Sequence, residues 1–469
     1  MENKYLQKIY KIIILVIMIL ALFSFYFTYN AFADDEEKYA VQITDVQAYD
    51  EKGSINADAL ADDNIYTKVR FSEVTSVSFT SQSDIKAIYL IFDGPLKGYT
   101  LSYGDYILKS DKDGFLHDFK QLYTNVNSLT IEFNAGTVLT DVYFFSEGEV
   151  PEWVQRWENP LEKADMLVLP THHDDEILFF GGTMPVYSLE KGKKVQVAYM
   201  NNHWGEPYRP HEALNGLWTS GIRNYPIIPD FNDTKFYDLE GALNYYGEDA
   251  LQEYYVSLIR RFKPEVIIAH DFNGEYGHGS HMASAYSVAK AIELAKNSES
   301  FLSSANTYGV WEVKKAYFHL YQENKIVMEW DQPLQKFGGK TGFDVAVDAL
   351  NCHQSQLKYY SMSKRGVYDC RQFGLYYSAV GEDVEKNDFF ENIPEYQAVV
   401  DQSLISEVVL PKDTLVAEES IDNSVPNPCF NCEVPDKKNS DYVFVIAVAS
   451  GICALALIIA LIIYKGRKK

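Results

Sequence analysis

The sequence predicts an α/β domain with a Rossmann-like, mostly parallel sheet covered by helices on both faces, preceded by an all-β sandwich and followed by a single transmembrane helix. Three patterns predict this order. Short strand-like runs fill residues 38–150, apolar strands alternate with amphipathic helices over residues 163–400, and a charge-free apolar run lies near the C-terminus.

The composition excludes several classes of protein. Among the 469 residues, 42 Lys and Arg stand against 66 Asp and Glu, which gives a formal net charge of −24. Nucleic-acid binding needs clustered cations, and no such cluster occurs outside the two termini, so we expect no nucleic-acid partner. The hydrophobic content of 47% excludes wholesale disorder, and five cysteines are too few for a disulfide scaffold.

The N-terminus has the segment order of a secretory signal peptide. Three lysines precede a charge-free, mostly apolar run over residues 12–27, and the small residues Ala31 and Ala33 stand directly before an acidic stretch. This order predicts a signal peptide over residues 1–33 that is cleaved after Ala33. An uncleaved signal anchor is the alternative, because the run is nearly long enough to span a membrane.

Residues 38–150 are predicted to form a β-sandwich. Runs rich in Val, Ile, Tyr and Phe, such as residues 87–92 and 128–133, are separated by turn signals, which is typical of short strands. The segment 59–67 resembles the start of discoidin-like, galactose-binding jelly rolls. That resemblance implies a sugar- or surface-binding module, and a structural spacer is the alternative.

From residue 163 to about residue 400 the pattern is that of a parallel α/β sheet. Residues 166–169 and 265–269 are continuous apolar strands. Each is followed by a loop and an amphipathic helix, which we predict over residues 177–191 and 281–296. Ligands of such sheets bind in the loops at the carboxyl ends of the strands. The loops after Leu169 and Ala269 both contain His and Asp, so we expect the site there.

The C-terminal part is predicted to anchor the protein. Residues 443–464 carry no charge and precede a basic tail at residues 465–469, which predicts one spanning helix with its basic end in the cytoplasm. Residues 413–441 have the low hydrophobicity of a stalk, and Cys429 and Cys432 within it are expected to form a local disulfide or remain idle thiols. The predicted location is a bacterial cell membrane, with the catalytic domain outside.

The two loops carry the residue types of a hydrolytic metal site. Residues 171–176 read Thr-His-His-Asp-Asp-Glu, and residues 270–281 contain three histidines and an Asp. Histidine and carboxylate ligands that leave one coordination position open for water are what hydrolytic zinc sites use. Helix capping by the acids and solvated loop histidines are the alternatives, but both loops together favour a metal site.

Residues 163 to about 380 resemble the PIG-L/LmbE-like zinc-dependent N-deacetylases, whose motifs are Ala-His-Pro-Asp-Asp-Glu and, later, His-Pro-Asp-His. The resemblance implies that His172, Asp175 and His281 hold Zn²⁺, or another divalent metal such as Fe²⁺. It implies that Asp174 is the general base and that His278 stabilises the tetrahedral intermediate.

Further positions match the family. Tyr276 stands where some members have a tyrosine that helps to bind the oxyanion, and Arg209 opens an Arg-x-x-Glu motif whose Arg contacts the sugar. Asp233 matches an acidic residue that contacts the sugar. Residues 353–356 look like the late His-x-Ser-Gln signature, which we interpret as structural support near the site.

The sequence departs from the family motifs at three places. Thr171 replaces Ala, and His173 replaces Pro and is expected to point away from the metal. Gly279 and Ser280 replace Pro-Asp, which removes a carboxylate that would orient or charge His278. We expect a lower pKa of His278 and slower turnover, with the metal ligands and the base intact.

The resulting hypothesis is an extracellular, membrane-anchored, zinc-dependent hydrolase that removes N-acetyl groups from an N-acetylglucosamine-containing glycan or a related amino sugar. The expected partners are that N-acetylated sugar and the membrane. One alternative is a non-catalytic surface protein for glycan binding or adhesion with a degenerate deacetylase domain. Another is a metallopeptidase or other zinc amidohydrolase.

Overall fold

A computed structural model describes residues 39–55, 60–110 and 114–394 of the chain. No helix within these ranges is long and apolar enough to span a bilayer. Several predictions lie outside the described residues: the signal peptide (1–33), the stalk (413–441) with Cys429 and Cys432, the transmembrane helix (443–464) and the basic tail (465–469).

The N-terminal region forms an antiparallel sheet. The strand order is β1-β9-β5-β8-β6-β7, with β2 beside β5, β3 beside β2 and β4 beside β9. The strands are β1 Gln42–Ile43, β2 Gln47–Asp50, β3 Gly53–Ile55, β4 Val69–Arg70, β5 Thr75–Phe92, β6 Tyr99–Tyr103, β7 Tyr106–Ser110, β8 His117–Phe133 and β9 Val138–Phe145.

Strand β5 is longer than the sequence pattern suggests. The runs at residues 76–80 and 87–92 look like separate short strands, but both belong to the 18-residue strand β5. The pairing of β5 with β8 continues through register shifts between Thr80 and Ala87, where a polar stretch would otherwise predict a turn. The discoidin-like resemblance of residues 59–67 stays a prediction.

The second region is an α/β sheet. Its strand order is β11-β10-β12-β13-β15-β14; the first four strands are parallel, and β15 pairs antiparallel with both β13 and β14. The strands are β10 Met166–Val168, β11 Val195–Val197, β12 Val266–Ala269, β13 Lys315–His319, β14 Lys325–Val327 and β15 Gln372–Ser378.

Helices cover both faces of this sheet. Alternate residues of β10, such as Met166 and Leu167, belong to two different apolar cores, one with residues of α3 and α8 and one with residues of α4, α5 and α6. The helices are α1 Asp175–Leu178, α2 Thr183–Pro185, α3 Tyr208–Thr219, α4 Leu239–Tyr246, α5 Glu248–Phe262, α6 Gly279–Ala295, α7 Leu302–Tyr308 and α8 Gly342–Leu350.

The predicted helix over residues 177–191 is broken in the structure. It consists of α1, α2 and a π-helical turn over Val186–Glu190. The close approach of Trp330 requires glycine at the break, because a Cβ on Gly181 or Gly182 would lie 2.3 or 2.7 Å from atoms of the Trp330 ring. The positive φ of 45° at Gly181 also requires glycine.

A buried polar contact joins the two regions. Nε2 of His117 in β8 lies 2.8 Å from Nδ1 of His211 in α3, and the hydroxyl of Tyr89 lies 2.6 Å from Nδ1 of His117. Two neutral rings satisfy both contacts in either direction of this hydrogen-bond chain, with one proton in each contact. Burial lowers the pKa of His117 well below its usual value and that of His211 to about 4.

Acid is expected to destabilise the protein through this pair. Both pKa values are lower in the folded state than the unfolded value of about 6.5, so the unfolded state takes up more protons as the pH falls below that value. The contribution of His211 to the free energy of unfolding should fall by roughly 2 kcal/mol between pH 7 and pH 5.

Urea unfolding of the purified protein at both pH values measures this loss. The matched variant His211→Gln keeps an acceptor for His117 but does not titrate, so it should lose less stability on acidification. Equal losses in wild type and variant would contradict the neutral pair.

Candidate active site

The predicted metal ligands come from the ends of two adjacent strands. His172 and Asp175 lie between β10 and α1, and His281 lies in the first turn of α6, which follows β12. The two strands are parallel neighbours, so their carboxyl ends meet at the same edge of the sheet. The backbone N–H of His172 donates to Oδ2 of Asp175 at 2.7 Å, which fixes that carboxylate within its own turn.

The three donor atoms form a small triangle. Nδ1 of His172 lies 3.0 Å from both Oδ2 of Asp175 and Nε2 of His281, and the last two atoms are 3.2 Å apart. Tetrahedral ligands about 2.0–2.2 Å from a zinc ion are separated by about 3.3–3.6 Å. The triangle is close to that size, and its two imidazole nitrogens and one carboxylate oxygen suit Zn²⁺ or another divalent transition metal.

Carboxylates on the outer side of both rings favour the tautomers that metal binding needs. Nδ1 of His281 bonds to Oε2 of Glu275 at 2.8 Å, and Nε2 of His172 lies 3.1 Å from Oδ1 of Asp233. A ring that gives its N–H to an outer carboxylate presents a lone pair to the centre. Burial lowers the pKa of His172, but the negative charges of Asp175 and Asp233 more than offset this effect and raise the pKa to about 10. The surroundings of His172 therefore favour positive charge.

Glu275 is the main site residue that the sequence reasoning missed. Its buried carboxylate contacts Nδ1 of three histidines, at 2.9 Å for His270, 2.8 Å for His281 and 2.7 Å for His319. Burial opposes its charge, but these partners, His270 first, hold the pKa of Glu275 well below its usual value. The only sign of this role in the sequence is that Glu275 lies in a histidine-rich loop. Its contact with His319 could not be predicted from spacing, because β13 is distant from that loop along the chain.

His270 lies near the triangle but is already engaged. Its Nε2 accepts the backbone N–H of Thr171 at 3.0 Å, and its Nδ1 faces Glu275. The ring stacks on that of His281 with centroids 4.2 Å apart. Although Asp175, His270 and His281 are close enough to share an ion, the backbone contact makes His270 a support for His281.

Asp174, the predicted base, is buried beside Arg209. Nη2 of Arg209 lies 3.0 Å from Oδ1 of Asp174 and 3.0 Å from the carbonyl oxygen of His173. Burial raises the pKa of Asp174, and Arg209 opposes that rise. The structure therefore places Arg209 against the candidate base, whereas the family resemblance implied a contact with the sugar.

His278 caps α6 and faces the triangle. Its Nδ1 accepts the backbone N–H of Ser280 at 3.3 Å, and its ring centroid lies 4.6 Å from His172 and 4.8 Å from His281. Burial, with the neighbouring histidines, lowers the pKa of His278 to about 3, the expected direction. Because donor atoms of His172, His278 and His281 lie within 4.8 Å of one another, His278 is also a candidate additional ligand.

Asp233, the predicted sugar contact, and Tyr276, the predicted oxyanion contact, both lie beside protein side chains in the structure. Asp233 lies against His172, as described above. Tyr276 is 48% exposed, and its ring contacts Tyr360 and Tyr368 at the surface.

The late motif connects its loop to two helices near the site. Nε2 of His353 lies 3.1 Å from Oε1 of Glu176 in α1, and the hydroxyl of Ser355 donates to Oε2 of Glu212 in α3 at 2.6 Å.

The ring of His173 packs against Tyr199, with centroids 4.4 Å apart. The backbone carbonyl of His173 accepts a hydrogen bond from Arg209.

Removing the charge of Glu275 should weaken metal binding. Glu275→Gln keeps the shape of the side chain but offers only one acceptor oxygen to three imidazoles, so we expect the affinity for Zn²⁺ to fall about 10- to 100-fold. Competition with a chromophoric chelator measures this affinity. The exposed Glu299→Gln is the matched control, and an unchanged affinity in Glu275→Gln would contradict its supporting role.

Comparison with known proteins links the site to one family. The family model described as PIG-L: GlcNAc-PI de-N-acetylase matches residues 167–292. A 1D-myo-inositol 2-acetamido-2-deoxy-alpha-D-glucopyranoside deacetylase 1 of Catenulispora acidiphila is 25% identical over 219 residues, which cover 41% of this chain and 66% of that protein. A similarly named deacetylase of Streptomyces avermitilis is 24% identical over 180 residues, 33% of this chain and 60% of its own.

The chain thus spans slightly less than two thirds of the length of these curated relatives. Among solved structures, the N,N'-diacetylchitobiose deacetylase of Pyrococcus horikoshii is 15% identical, with a TM-score of 0.31, and the match covers 42% of this chain and 73% of that one. The matched region, residues 167–292, contains His172, Asp175 and His281, and both of these relatives are named as deacetylases.

Proposed function

We propose that the protein is a metal-dependent hydrolase that removes the acetyl group from an N-acetylglucosamine-containing glycan or a related amino sugar. The observation that carries the proposal is the triangle of donor atoms from His172, Asp175 and His281, beside the buried carboxylate of Asp174. When bound there, a divalent ion supplies Lewis acidity for amide hydrolysis.

Asp174 is suited to move the proton in this reaction. Burial raises its pKa toward the working pH, which favours a general base. Arg209 engages Oδ1, so the other carboxylate oxygen is the one that takes a proton from the attacking water. The water oxygen bonds to the acetyl carbon, the C–N bond breaks, and Asp174 returns the proton to the leaving amine, which yields acetate and a free amino sugar.

His278 is positioned to stabilise the negative charge that develops on the acetyl oxygen. The backbone N–H of Ser280 occupies Nδ1, so the N–H of the neutral ring lies on Nε2. A neutral N–H donor stabilises an oxyanion less than a charged imidazolium would. This weaker stabilisation is consistent with the slower turnover that we expect because Ser280 replaces the Asp of the family motif.

The location of the reaction belongs to the same proposal. Residues 1–33 read as a signal peptide and residues 443–464 as a membrane span, which would hold the domain outside a bacterial cell. The substrate would then be a cell-wall, surface or environmental glycan.

A non-catalytic glycan-binding protein is the second candidate. Ser280 favours it, because Ser280 directs its hydroxyl toward the carbonyl of Thr234 at 3.3 Å and gives His278 no carboxylate partner. This candidate and the enzyme are separated by acetate release.

Removal of the base should abolish turnover but not metal binding. With zinc and N-acetylglucosamine oligomers, the wild-type protein should release acetate, and Asp174→Asn should release it about 10²–10⁴ times more slowly at unchanged zinc content. The exposed Asp105→Asn is the matched control, and His172→Ala should lose the metal itself.

Two results would reject this account. Bound glycan with no acetate released by the zinc-loaded wild type would support the non-catalytic candidate. Zinc content that is absent from the wild type, or equal in wild type and His172→Ala, would exclude the metal scheme.

A further inference from the structure

Three tyrosines from two separate loops meet at the protein surface. Tyr276 lies in the short 3-10 turn Glu275–Gly277, and Tyr360 and Tyr368 lie in the loop between α8 and β15. The ring centroid of Tyr276 is 5.7 Å from that of Tyr360 and 4.3 Å from that of Tyr368. Tyr276 and Tyr360 are 48% and 39% exposed, so these residues, named here the tyrosine platform, present aromatic surface to solvent.

The tyrosine platform adjoins the metal donors. The ring of Phe179 lies between them, 5.7 Å from Tyr276 and 5.6 Å from His281. Along the chain, Tyr276 precedes His278 by two residues. A glycan that extended from the donors on this side would have its next sugar residue over or beside the platform.

The backbone at Tyr276 is held in an unfavourable conformation. Its φ of 58° and ψ of 17° are left-handed, a conformation that is strained for a bulky residue. Gly274 makes the turn possible, because a Cβ there would lie 2.4 Å from the carbonyl oxygen of His278. Strained backbone that exposes an aromatic ring next to a site indicates that the position of the ring matters for binding.

The three rings pack on one another, but Tyr276 and Tyr360 keep much of their surface exposed to solvent. Contiguous exposed apolar surface marks ligand-binding sites more often than single exposed rings do, and the tyrosine platform presents such a surface beside the candidate metal ligands. A tyrosine combines an apolar face with a polar hydroxyl, and a sugar ring likewise has an apolar C–H face and a polar rim. The chemistry of the tyrosine platform thus matches a pyranose ring.

We propose that the tyrosine platform binds the sugar residue next to the one that is deacetylated, so that the preferred substrate is a glycan of at least two sugar residues. This inference rests on the proposed function, because only an N-acetyl group at the metal donors fixes where the neighbouring sugar lies. In this role the platform adds affinity for the sugar chain, which is separate from the oxyanion contact that the family resemblance implies for Tyr276.

Equilibrium binding tests this without turnover. The full chain carrying Asp174→Asn, loaded with zinc, is titrated with N-acetylglucosamine and with its β-linked di-, tri- and tetramer. Affinity should rise about tenfold from the monosaccharide to the oligomers, equivalent to about 1.4 kcal/mol. Adding Tyr360→Ala should remove that gain and leave monosaccharide binding unchanged, whereas Tyr360→Phe should retain most of it.

A matched control is available on another part of the surface. Tyr308 is 38% exposed at the end of α7, and that helix lies beside the C-terminal end of α6, whereas the site lies at its N-terminal end. Tyr308→Ala should leave both affinities unchanged. Three results would contradict the proposed role of the platform. The affinity could be equal for ligands of all lengths, the gain in affinity with length could persist in Tyr360→Ala, or Tyr360→Ala could weaken the binding of every ligand equally.

Acetate release separates this inference from the proposed function. If the wild type releases acetate with the same KM from monosaccharide and oligomers, the platform is wrong and the hydrolase stands. If no acetate is released while binding depends on length and on Tyr360, deacetylation is wrong and the platform remains a glycan-binding site.

Discussion

The site depends on holding two imidazole nitrogens and one carboxylate oxygen about 3 Å apart in a buried position. Lone pairs at that distance repel one another unless a cation lies among them, so the three ligands need support from neighbouring side chains. Glu275 and Asp233 provide it, because each faces the outer nitrogen of a ligand histidine and adds negative charge around the centre. The resulting field favours a cation at the triangle.

The surrounding fold keeps this cluster in register. Helix α3 carries three buried contacts in one turn: Arg209 holds the candidate base, Glu212 accepts from Ser355, and His211 meets His117 of the N-terminal sheet. The all-β region therefore packs against the same helix that orients Asp174. A change at that junction would reach the site through α3 and not through direct contact.

The sequence predicted the position of the site better than its support. His172, Asp175 and His281 follow apolar strands, and parallel strands end at the same edge, so their proximity follows from the pattern. The role of Glu275 depends on His319 from a third strand, which no spacing reveals. The break near Gly181 could not be predicted either, because the Trp330 ring that requires glycine there is distant along the chain.

X-ray absorption at the zinc edge, on the full chain with one equivalent of Zn²⁺, tests the central claim most directly. The account predicts a coordination shell of nitrogen and oxygen only, with imidazole ligands at about 2.0–2.1 Å. His281→Ala should remove an imidazole from that shell. A shell that contains sulfur, or one that is identical in wild type and His281→Ala, would contradict the account.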